Sequence, residues 1–281
     1  MNKAIFITLI IGLVQLAALG QADIHSVDFK NFSYEPMCAG ESATKIRVRN
    51  GKYSKETPQD GYTDRTYFDV LAVEYGDLTG DGKEEAVILS NCNTGGTGQF
   101  TEGFVYTLRS GRPALLGRVP GGDRADGGLR SIKVDGGSLV VEFNDPDQAA
   151  GACCPEGIVI QKYHISSGGK LVEVGVAIKR ALYTKERIAF ARGATGKTWS
   201  VTIPPRDRKR LLLGARSAQT LSVSYTGGGD VDLRLLEDSY AEVTQGPHKL
   251  DAVLKRSGDF TIELSNYSEK PVTVTLTIRI R

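Results

Sequence analysis

Val272-Thr273-Val274-Thr275-Leu276-Thr277-Ile278-Arg279-Ile280 alternates apolar and polar side chains over nine positions. A period of two puts the apolar residues on one face of a strand and the Thr and Arg residues on the other. The stretch therefore predicts a half-buried strand with its apolar side in a core and its hydroxyls in water. Working back toward the N-terminus, shorter segments of similar character lie at 260–265, 250–254, 231–236, 221–225, 211–215 and 199–203. Gly, Asp and Ser clusters separate them. So many strands in about 95 residues predict a β-sandwich, jelly-roll-like.

The preceding part of the chain has the same rhythm. Lys45-Ile46-Arg47-Val48-Arg49 alternates and ends at Asn50-Gly51, a hairpin-type turn. Glu85-Ala86-Val87-Ile88-Leu89 is a nearly continuous apolar run, which predicts a central strand buried on both faces. Asp135-Gly136-Gly137 separates strands expected at 129–134 and 138–143, and residues 166–169 separate those at 158–165 and 171–178. The fold class is all-β with two domains. An N-terminal antiparallel β domain with disulfides is expected over 23–180, a linker or first strand over 181–192, and the C-terminal sandwich over 187–281.

Charge supports that division. Residues 23–182 hold 18 Lys+Arg against 22 Asp+Glu, net −4, whereas 183–281 hold 16 against 11, net +5. Neither value argues for nucleic acid. Residues 1–22 read as a signal peptide: Met1-Asn2-Lys3, then an apolar run to Leu19, then Gly20-Gln21-Ala22. That run is short for a bilayer span, so no transmembrane anchor is expected. The protein is expected to be secreted or periplasmic after cleavage near Ala22.

In that setting the four cysteines, Cys38, Cys92, Cys153 and Cys154, read as disulfides. A bridge between adjacent residues closes a strained ring. The expectation is therefore that Cys38 pairs with one of Cys153 and Cys154, and Cys92 with the other.

Asp77-Leu78-Thr79-Gly80-Asp81-Gly82-Lys83-Glu84-Glu85 places oxygen side chains at alternate positions of a Gly-rich loop, as a hard cation requires. The candidate ligands are Asp77, Thr79, Asp81 and Glu85, and the candidate cofactor is calcium. The alternative is a hairpin whose side chains bond their own backbone. The stretch resembles the Asp-x-Asn-Gly-Asp-Gly loop of FG-GAP repeats, with Thr79 where that family has Asp or Asn. It occurs once, and a single copy does not build a propeller.

No catalytic residue is assigned. His25, His164 and His248 are far apart with no zinc spacing, and no Gly-x-Ser-x-Gly elbow occurs. Arg206-Asp207-Arg208-Lys209-Arg210 reads as a solvated turn between strands, or as a basic patch for an acidic partner.

Residues 187–193, 213–221 and Ser257-Gly258-Asp259-Phe260-Thr261-Ile262, in that order, resemble the β-sandwich of bacterial pre-peptidase C-terminal domains. They also resemble related periplasmic inhibitors of invertebrate-type lysozyme. In those inhibitors a Ser-Gly-x-Tyr loop enters the lysozyme cleft. The resemblance implies a binding loop of Ser257, Gly258, Asp259 and Phe260, with Phe260 lacking the Tyr hydroxyl. It competes with a simple hairpin whose Phe260 is core.

The functional expectation is a non-enzymatic binding module for a protein or glycan of the envelope or extracellular space, a lysozyme among them. The rival classes are a calcium- and disulfide-stabilised structural accessory protein and a hydrolase whose site assembles only in space.

Overall fold

The structure is a computed structural model that describes residues 23–39, 45–148, 151, 153–166, 169–229 and 231–281. The signal-peptide expectation at 1–22 lies outside the described residues. Among them, no helix is long and apolar enough to cross a membrane.

The chain is all-β, as its periodicity predicts. Strands β1 (Ser33–Tyr34) and β2 (Ile46–Arg47) form a small pair. They are followed by β3 (Lys52–Gln59), β4 (Tyr62–Gly76), β5 (Glu85–Asn93), β6 (Phe100–Arg109) and β7 (Arg112–Asp123), an antiparallel sheet in sequence order. Next come β8 (Leu129–Asp135), β9 (Ser138–Asn144), β10 (Gly157–Ile165) and β11 (Leu171–Ala181), a second antiparallel sheet.

β5 is central and buried on both faces, which is why its sequence does not alternate. Ala86, Ile88 and Cys92 point into a cluster with Tyr34, Phe68 and Phe104, closed by the N-terminal segment. Val87 and Leu89 point the other way, into a cluster with Val105, Val119, Leu139 and Val141 that joins the two sheets. The sheets approach closely at Gly76, where an added Cβ would lie 2.4 Å from Val134 Cγ1.

The rest of the chain builds a sandwich from β12 (Tyr183–Arg187), β13 (Gly196–Ile203), β14 (Arg208–Ala215), β15 (Thr220–Thr226), β16 (Val231–Leu235), β17 (Ala241–Gly246), β18 (Lys249–Leu254), β19 (Gly258–Asn266) and β20 (Val272–Ile280). One sheet has the order β12-β14-β19-β16 and the other β13-β20-β15-β18-β17, with β12 and β14 parallel. β20 behaves as its alternation requires: Val274, Leu276, Ile278 and Ile280 are buried in the shared core. Its Thr273 and Thr277 bond Thr202 at 2.9 Å and Thr198 at 3.0 Å on the outer face. Among the described residues, twenty-one buried apolar side chains close this core.

The expected disulfide pairing is corrected. Cys38 bonds Cys92, with Cα atoms 6.3 Å apart, and Cys153 bonds its neighbour Cys154. Cys38 and Cys92 belong to the cluster on the N-terminal face of the five-stranded sheet. Cys153 and Cys154 lie in the β9–β10 connection of the other sheet, so the folded sheets keep the two pairs apart.

The stretch read as a joint carries β12, already an edge strand of the sandwich. Polar contacts tie the two units together. Leu182 N donates to Glu156 O at 2.8 Å, and Arg208 N to Leu182 O at 3.1 Å. Arg206 Nη1 donates to Arg130 O at 2.7 Å, and Arg130 Nη2 returns a bond to Arg206 O at 3.0 Å. Arg210 lies between Glu156 at 2.5 Å and Glu263 at 2.8 Å, with its guanidinium 3.9 Å from the Tyr183 ring centre.

Candidate functional site

The β18–β19 connection, the exposed recognition candidate, is not the hairpin expected from the sequence: β18 and β19 belong to opposite sheets, and the chain crosses from one to the other here. Lys255, Arg256 and Ser257 connect the strands, and Gly258 opens β19 at φ +143°, a conformation L side chains rarely adopt. Strand alternation then splits the predicted loop. Ser257, Gly258 and Asp259 are exposed, whereas Phe260 is fully buried opposite Leu213. Phe260 is therefore a core residue and not a contact, which corrects its place among the binding candidates. β19 lies between β14 and β16, and its inward side chains fill the sandwich.

The exposed end is fixed by side chains from distant segments. Ser217 N donates to Ser257 Oγ at 3.0 Å. Arg187, the last residue of β12, grips Asp259 with both terminal nitrogens, one at 3.0 Å from Oδ1 and the other on Oδ2. This two-point fork holds the Asp259 carboxyl below the usual carboxylate range. Arg256 lies 4.3 Å from the ring centre of half-exposed Tyr240. Sequence reading missed Arg187, Arg256 and Tyr240, which no local motif joins. A phenol thus stands beside the β18–β19 connection, supplied by the turn before β17 and not by position 260.

The 77–85 loop is bonded to itself. Asp77 Oδ1 accepts from Gly80 N at 2.7 Å and its Oδ2 from Gly82 N at 2.9 Å, while Asp81 Oδ1 accepts from Lys83 N at 2.9 Å. These N–H groups, that of Gly82 above all, hold the Asp77 carboxyl below its ordinary range. Gly80 and Gly82, at φ +75° and +79°, let the backbone turn back on the carboxylate. Glu85 is fully buried and accepts from Leu78 N at 2.9 Å and Thr107 Oγ1 at 3.1 Å. Burial pushes its carboxyl up. Among the described residues, no three His, Cys, Asp or Glu side chains are grouped as a metal site requires.

The histidines remain apart. His25 stacks on Tyr75 at 4.0 Å and meets Glu84 at 2.6 Å, His164 is exposed on β10, and His248 stacks on Tyr225 at 4.6 Å.

No family model and no curated protein matches the chain. Solved structures do. PliG of Aeromonas hydrophila, a periplasmic inhibitor of g-type lysozyme, is 19% identical at a TM-score of 0.31, over 35% of this chain and 97% of its own. PliG of Salmonella Typhimurium is 20% identical at 0.29, over 34% and 97%. A mutant of the Escherichia coli protein is 15% identical at 0.27, with the same coverage. Likeness this weak carries no inference about what the chain does.

Proposed function

We propose that this chain is an exported, non-enzymatic binding module whose sandwich presents the Ser257–Asp259 end of the β18–β19 connection to a protein partner. The observation behind the reading is the rigid, exposed end itself. Its turn is anchored by Ser217 and its first strand residue is clamped by Arg187. It carries an acid, two bases and a half-exposed Tyr within one patch. Pre-ordered loop ends bind with little ordering cost, and Tyr and Arg are the side chains that anchor such contacts.

A lysozyme is the first partner to test, and g-type enzymes, the target named for the three PliG structures, belong in the panel beside invertebrate and chicken types. Inhibition is measured with the mature full chain and with Asp259→Lys. One lysozyme type should be inhibited, and the variant should need about tenfold more protein, the equivalent of about 1.4 kcal/mol. A flat result across all types removes lysozyme as the partner.

The second reading is an envelope accessory protein stabilised by its bridges and a weak calcium site. Its support is that Thr79, Asp81 and Glu85 border one hollow of about 540 Å³. Calorimetry at millimolar calcium tests it: a saturable heat removed by Asp81→Asn establishes the site, and no heat leaves the self-bonded turn.

A further inference from the structure

We infer that the cleft between the two units binds a single carboxylate carried on an apolar body, with Arg208 as its anchor. The cleft encloses about 740 Å³ and is lined from both units. That size and position suit a small-molecule site.

Its electrostatics single out one group. Among the described residues, each of the other arginines lining the cleft has an acidic partner. Arg130 meets Glu142 at 2.8 Å, Arg206 meets Glu269, Arg234 meets Asp232 at 2.6 Å, and Arg210 is shared by Glu156 and Glu263. The half-buried Arg208 guanidinium has no hydrogen-bond, ion-pair or ring partner among the described residues. Its backbone is fixed in β14, between Tyr183 of β12 and Ser265 of β19. A rigidly based guanidinium with free donors matches a planar carboxylate in two-point fashion.

The neighbouring charges set the ligand's valence. Arg210, two residues along the same strand face, carries two carboxylates, so that trio has net −1. Arg208 balances that surplus, so a bound carboxylate leaves net −1 about it and a doubly charged phosphate net −2, which Glu156 and Glu263 oppose more strongly.

The walls set its body. Leu71, Leu236 and Tyr267 are exposed by 55%, 41% and 65%, and all three border this cleft. The Cys153–Cys154 bridge and Pro155 add a ledge of apolar surface with little torsional freedom. The ligand is thus amphiphilic, its charge at Arg208 and its apolar part against the ledge.

The test titrates the isotope-labelled mature chain with 4-phenylbutyrate, followed by amide shifts. Saturable shifts at residues 153, 154, 156, 206–210 and 265–267 are expected. Arg208→Gln should weaken binding about tenfold or more. If that variant melts lower than the parent, Arg208→Lys replaces it, since it keeps the charge but loses the planar fork. Acetate should bind more weakly than phenylbutyrate, and the Cys153→Ser, Cys154→Ser double variant should shrink that preference. Benzylamine and inorganic phosphate should not saturate the same amides. Unchanged affinity in both Arg208 variants, or phosphate binding as tightly as phenylbutyrate, overturns the proposal. A preference untouched by the double variant overturns the ledge.

Discussion

Phe260→Ala separates the two meanings of the β18–β19 segment. The side chain has no exposed surface and lies among Leu213, Ile262 and the other residues of the sandwich core. Truncating it removes a ring from a close-packed interior, which costs about 3–5 kcal/mol. The only Trp of the chain, Trp199, packs against the same core, so its fluorescence reports this unit without the other. For a domain of this size m in urea is about 1–2 kcal/mol/M, so a loss of about 4 kcal/mol moves the midpoint down by about 2–4 M. Asp259→Ala is the paired control, because the Arg187–Asp259 pair is exposed and water screens such pairs, so the Trp199 midpoint should barely move. A Trp199 midpoint unmoved by Phe260→Ala, together with lost partner binding, would refute the core placement and restore Phe260 as a contact.

Peptide mapping under non-reducing conditions should recover Cys38 joined to Cys92, and removing that bridge should cost about 2–5 kcal/mol; a peptide joining Cys38 to Cys153 or Cys154 would contradict the topology. Arg210→Ala strands Glu263, which is 8% exposed, and should lower the Trp199 midpoint by the equivalent of about 3–5 kcal/mol. Replacing Arg210 and Glu263 together by Met and Leu should restore much of it. Glu85 and Glu102 are raised by burial above their ordinary 4.5, so the folded chain holds more protons than the unfolded one above that value. Their protonation therefore favours folding: stability should fall as pH rises through their folded values, and Glu102→Gln should flatten that slope of urea midpoint against pH. Asp77 and Asp259, held below 3.8, act oppositely and should cost stability only as pH falls further.

The alternation in 272–280 and the apolar run in 85–89 were sufficient to place a half-buried strand and a doubly buried one, because side-chain period is a local property of the backbone. The turn at Asn50-Gly51 was equally legible, with both residues at positive φ. Strands β3 and β17 were not foreseen. Both lie at sheet edges and are mostly exposed, so nothing in their sequence must alternate, and their partners alone make them strands.

What only tertiary structure decided is who meets whom. The sequence supplied four cysteines in an export-like context, but their pairing followed from the face of each sheet on which they land. Ser257, Gly258 and Asp259 could be read as loop, but the half-turn of backbone that puts Phe260 inside depends on the register of β19 against β14. Arg187 and Asp259 are 72 residues apart, and Arg208 is distinguished only because the other arginines of the cleft have acidic partners while its guanidinium has none among the described residues. Local patterns are written along the chain, whereas charge pairing and clefts are properties of surfaces that exist only after distant strands have packed.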